Sequence, residues 1–92
     1  MSGKNRFKSV WDALEDDPVR QENLKLRSEL IITISETIRA RGLKQQDAAE
    51  LLHISQPRAS ALLQGKIEEF RLDTLVDLVH RLGLHVFINV AA

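Results

Sequence analysis

Residues 43–65, Leu-Lys-Gln-Gln-Asp-Ala-Ala-Glu-Leu-Leu-His-Ile-Ser-Gln-Pro-Arg-Ala-Ser-Ala-Leu-Leu-Gln-Gly, restrict the fold of this chain more than any other stretch. They read as two short helices around a tight turn. Gln45 opens the first helix, Ala49 is small enough to let the two helices approach, and Ile54 plugs the turn. Ser55 supplies a hydroxyl that can cap the second helix, whose first turn holds Gln56, Pro57 and Arg58. The arrangement, spanning residues 44–64, is a helix-turn-helix, which presents its second helix to the DNA major groove.

The set Gln45, Ala49, Ile54-Ser55-Gln56, Leu62-Leu63 and Gly65 resembles the lambda-repressor-like (XRE) family of bacterial DNA-binding proteins. The wider layout resembles its small HigA-type antitoxin branch: a Val10-Trp11-Asp12-Ala13-Leu14 leader, the helix-turn-helix, a Leu72-Asp73-Thr74-Leu75 helix and an apolar terminal strand. Two positions depart from the pattern. His53 stands where the turn usually has glycine, and Ala59 where a larger Val or Ile usually packs. A left-handed residue with a side chain costs about 1 kcal/mol or more, so both departures bear on stability more than on fold.

Composition bounds the remaining possibilities. Ninety-two residues make one small domain, near the size at which association helps the core, and a homodimer is expected. The absence of cysteine removes disulfides, thiol nucleophiles and cysteine metal sites. No apolar run approaches the roughly 20 residues that span a bilayer, and the start has no secretory segment, so the expected location is the cytoplasm. Formal net charge is zero, which weighs mildly against a nucleic-acid binder. Its distribution is more favourable. Arg39, Arg41, Lys44, Arg58 and Lys66 bracket the helix-turn-helix, no carboxylate occurs from Leu51 to Ile67, and acidic residues gather at 12–17 and from Glu68 onward.

Three segments are expected. Residues 1–17 form a polar, basic leader, flexible when the protein is free, with a short helix begun by Ser9 and ended before Pro18. Residues 18–83 form the helix-turn-helix domain. Its first helix is capped by Asp17, carries Leu26, Leu30, Ile34 and Ile38 at spacing four with Leu24 and Ile31 beside them, and closes at Arg41-Gly42. Ile32 falls on the opposite side as a lone exposed apolar residue. Ile67 and Phe70 anchor a connecting loop, and Leu72, Leu75, Val76, Val79 and Leu82 mark a last helix ended by Gly83. Residues 84–92 switch to period two and should be a strand. The fold class is therefore mostly α, a five-helix lambda-repressor-like domain with one C-terminal β-strand. A single strand needs a partner. The candidates are the same segment of a second subunit, the leader around Arg6-Phe7, or a strand of another protein; antiparallel pairing of Val86, Phe87, Ile88 and Val90 across a homodimer is favoured, with leader pairing next.

The residues expected at DNA are Lys44, Gln45, Ser55, Gln56, Pro57, Arg58, Ser60, Gln64 and Lys66. The amide of Gln56 matches adenine in one bidentate contact, and the fork of Arg58 fits guanine or a phosphate equally well. Ser60 and Ala61 are small enough to admit a base edge or a thymine methyl. Lys44 and Lys66 would contact phosphate and set salt dependence. The resemblance implies that Gln45 supports Gln56 and touches phosphate, and that Gln64 contacts the backbone.

No catalytic, metal or cofactor constellation is found: Asp73, Asp77 and His80 share one exposed helix side, with His85 beyond Gly83, and such a site would be open. The expected function is a dimeric, sequence-specific transcriptional repressor of a palindromic operator near its own gene. The antitoxin resemblance implies a second partner, a RelE/HigB-like messenger-RNA-cleaving toxin. Phe7, Val10 and Trp11 could contact it, or Trp11 could simply close the core. A protein-interaction module that has kept the shape without binding DNA is the competing function.

Overall fold

The computed structural model describes residues 17–92. The leader helix expected before Pro18, and Phe7, Val10 and Trp11 with it, lie outside the described residues. Four α-helices follow: α1 Pro18–Ala40, α2 Gln45–Leu52, α3 Gln56–Leu63 and α4 Leu72–Arg81, with a single 3₁₀ turn Ile67–Glu69 between the last two. The five helices expected are thus four among the described residues. α1 packs mainly against α4, and α2 against α3.

Local chemistry sets the boundaries. The Asp17 carboxylate accepts from the Val19 N–H at 3.0 Å, with Pro18 at the first helical position where its missing N–H is harmless. At the far end Gly42 takes φ 66°, and the Gly42 and Leu43 N–H groups donate to the Arg39 and Ile38 carbonyls. This is a Schellman closure. α2, α3 and α4 end in the same bond pattern, at His53, Gly65 and Gly83. His53 is the one non-glycine residue at positive φ among the described residues, at φ 60° and ψ 42°. The left-handed turn is therefore formed as the sequence suggests, but with a Cβ in place.

The buried face of α1 is Leu24, Ile31, Ile34 and Ile38. Leu30 is only half-buried, and Leu26, expected in the stripe, is 44% exposed. At 100° per residue Leu26 falls roughly 120° from the middle of the buried set, so spacing four, which drifts around a helix over several turns, carried it out of the core. Ile32 is exposed, as its position implied. In α4 the core residues are Leu75, Leu78 and Val79, joined by Leu82; Leu78 completes the stripe and Val76 sits at its exposed edge. Phe70 is fully buried and Ile67 packs against the core, as expected of loop anchors. The Arg41 Nη2 donates to the Leu82 carbonyl at 2.7 Å and ties the end of α1 to the end of α4.

The C-terminal strand is not formed: no described residue from 84 to 92 has regular structure. Strand hydrogen bonds lie between segments, and the described residues offer this segment no second strand; the leader around Arg6-Phe7, the alternative partner, lies outside them. Leu84 and Val86 rest against the core, whereas Phe87, Ile88 and Val90 are 89%, 78% and 91% exposed. Beside them a groove of about 510 Å³ is floored by Leu26, Leu30, Leu72 and Val76.

Relief of the left-handed strain should outweigh the added freedom glycine gives the unfolded chain. His53→Gly is expected to raise stability by a few tenths to about 1 kcal/mol, whereas His53→Val, β-branched at positive φ, should lower it by more than about 1 kcal/mol. Urea unfolding followed by circular dichroism gives the order directly, and a valine variant as stable as the wild type would contradict it.

Candidate nucleic-acid interface

α2 and α3 are eight residues each, too short to persist alone. They pack against each other, and each contributes small buried residues, Ala48 and Ala49 from α2 and Ala59 and Ala61 from α3. Ile54 seals the turn between them. Ala59, where a larger residue was expected, is buried with the rest, so its small size serves the close approach.

The tip of α3 is built by its cap. Ser55 has extended backbone (φ −71°, ψ 161°), and its Oγ accepts from the Arg58 N–H at 3.2 Å. The three residues that follow it, Gln56, Pro57 and Arg58, therefore start the helix at the protein surface. Lys44 holds the equivalent extended position before α2. Gln45, first in α2, donates through Nε2 to the Gln56 carbonyl at 3.4 Å, a long bond from the start of one helix to the start of the other. The support that Gln45 lends Gln56 thus runs to its backbone.

Along α3, Ala59 and Leu62 turn inward, and Gln56, Ser60 and Gln64 recur at spacing four on the outer side, Gln56 and Gln64 exposed and Ser60 half-buried. The Gln64 Nε2 donates to the Ser60 Oγ at 3.0 Å. Gln45, Gln56, Ser60 and Gln64 thus form an uncharged row rich in donors and acceptors, with exposed Pro57 at its tip. Lys44 and Lys66 are both exposed, before α2 and after α3. Beyond Lys66 the exposed carboxylates Glu68 and Glu69 bound the carboxylate-free stretch.

Arg58 stands apart from this row. Its guanidinium carbon lies 4.3 Å from the centroid of the Phe70 ring, and Nη1 donates to the Glu69 carbonyl at 3.0 Å. An exposed cation–π contact contributes about 0.5–1 kcal/mol and a hydrogen bond to a neutral acceptor about 0.5–1.5. Swinging out to a guanine would give up both for a bidentate contact that supplies about 1–3 kcal/mol. The side chain read from sequence as a base or phosphate contact is engaged with the protein itself. Phe70 was legible as an anchor, but nothing in the spacing of residues 58 and 70 announces their pairing.

The residues weighed for metal binding do not converge. Among the described residues no three His, Cys, Asp or Glu side chains come together. The His80 and His85 rings meet edge to face with centroids 6.0 Å apart. No helix of the described residues is long and apolar enough to cross a membrane.

A double-mutant cycle in urea tests the Arg58–Phe70 contact. Arg58→Ala and Phe70→Leu should show a coupling of about 0.5–1 kcal/mol. Strict additivity would mean that the guanidinium does not dwell on the ring in solution.

No curated protein matches the chain. Residues 13–91 match the family described as "Helix-turn-helix domain", a span that takes in all four helices and most of the tail. Such a domain points to a DNA-binding regulator. On that match, and on the α2–turn–α3 geometry, the chain belongs to the helix-turn-helix domain family.

Proposed function

We propose that the protein is a sequence-specific transcriptional repressor that binds double-stranded DNA through α3. The observation that carries this reading is the outward row Gln56, Ser60 and Gln64, capped by Ser55 and buttressed from Gln45, within a stretch free of carboxylates from Leu51 to Ile67. Amides and hydroxyls at the start of an exposed helix are suited to base edges. In this reading residues 18–83 are the DNA-binding unit. Lys44 and Lys66 hold phosphates, and Gln45, Ser55, Gln56, Pro57, Ser60 and Gln64 line the contact, with Arg58 beside them.

The active form is proposed to be a homodimer joined through residues 84–92. Support comes from the strand-type sequence of the tail, its lack of a pairing strand among the described residues, and the exposure of Phe87, Ile88 and Val90. Two-fold pairing would carry two copies of α3 and match a palindromic operator, with half-sites about 34 Å apart or a multiple of it. The resemblance to the HigA-type antitoxin branch supports a second role, neutralisation of a RelE/HigB-like toxin encoded beside it and repression of their shared promoter. The zero net charge favours the competing reading, a protein-interaction module without DNA binding.

Selection from randomised duplex DNA with the purified protein decides between these readings. A palindromic motif is expected, and Gln56→Ala should lose about 1–3 kcal/mol of discrimination at one position in each half-site. Enrichment of no sequence would reject the repressor. For the dimer, Phe87→Asp with Ile88→Asp should give monomers in sedimentation equilibrium with helix content unchanged. Dimers that persist in this variant would place the interface elsewhere.

A further inference from the structure

The surface that α3 offers to DNA differs in one chemical respect from what its sequence suggests. The helix carries a single cation, Arg58, and that cation is turned away, stacked on Phe70 and bonded to the Glu69 carbonyl. What remains on the outer side is Gln56, Pro57, Ser60 and Gln64, with Gln45 behind Gln56. None of these is charged.

From this placement we infer that Arg58 is a positioning residue, a latch between the first turn of α3 and residues 69–70, and that the half-site under α3 is read as A·T pairs by uncharged side chains. The inference rests on the proposed repressor function and refines it. Three observations converge. Arginine is the side chain that most commonly specifies guanine, through two parallel donors to O6 and N7, and the only arginine on α3 lies over the Phe70 ring with one of its fork nitrogens, Nη1, bonded to the Glu69 carbonyl. A glutamine amide matches the donor and acceptor of adenine, and the apolar ring of Pro57 at the tip can meet a thymine methyl. Finally, Ser55 accepts from the backbone N–H of the same Arg58 whose side chain is bound to Glu69. One residue therefore joins the cap of α3 to the 3₁₀ turn, and the angle at which Gln56 is offered depends on that join.

Lysine separates a latch from a charge. It keeps the cation of Arg58 but has neither the flat face that stacks on Phe70 nor the guanidinium fork. If Arg58 acts through the latch, Arg58→Lys and Arg58→Ala should both weaken binding to every sequence by about two- to fivefold. The selected motif and the slope of log affinity against log salt should stay the same. Phe70→Leu should give the same uniform loss, and Arg58→Ala combined with Phe70→Leu no further loss. All variants are compared at a temperature where circular dichroism shows them folded, so that a merely structural defect, which would leave the folded fraction binding normally, is distinguished.

The test is selection from randomised duplexes followed by fluorescence anisotropy on the winning site. A·T pairs at the positions beneath Gln56 and Ser60, unchanged in the Arg58 variants, are the expected result. A required guanine that disappears in Arg58→Ala would overturn the inference, as would wild-type affinity restored by Arg58→Lys, which would mark a phosphate contact. Absence of any enriched sequence would instead reject the repressor reading beneath it.

Discussion

Four buried alanines, Ala48, Ala49, Ala59 and Ala61, are the condition on which this structure rests. α2 and α3 have eight residues each and could not persist in water alone. Small side chains leave room for a close approach, and the helices' own Leu52 and Leu62, with Phe70 at the end of the 3₁₀ turn that follows, are fully buried in the core. α1 and α4 then serve as the platform against which this pair is fixed. With α2 and α3 packed so tightly on their inner sides, the residues left for solvent are set by helix geometry, and Gln56, Ser60 and Gln64 fall on one line.

Much of this was legible because it depends on local chemistry. Asp17-Pro18 before a long apolar period, Ser55 before Gln56-Pro57, and glycine after the first, third and fourth helices fix helix ends within a residue, since each solves the problem of unsatisfied backbone groups at a terminus. His53 was readable too: the position demanded a left-handed residue whatever its side chain, and the chain provides one at φ 60°. Leu26 was misread because strict spacing by four slips off a 3.6-residue helix over several turns.

Less legible was what depends on two distant segments meeting. Arg58 has the chemistry of a DNA contact, and only the fold brings Phe70 beneath it. The terminal segment has the composition of a strand, yet a strand is a relation between chains or segments and cannot exist in one segment by itself. The outer row of α3 was recoverable as a set of positions, but the bonds from Gln45 to the Gln56 carbonyl and from Gln64 to Ser60 were not.

The bond from Arg41 to the Leu82 carbonyl joins two places that the chain keeps 41 residues apart. Arg41 stands just before the segment that enters α2, and Leu82 just before the segment that leaves α4 for the tail. Both segments therefore start from one shared fulcrum. A tug or twist applied to the tail has a path to the root of α2 across a single guanidinium, without passing along the lengths of the helices, so the start of the tail and the start of α2 are mechanically near neighbours.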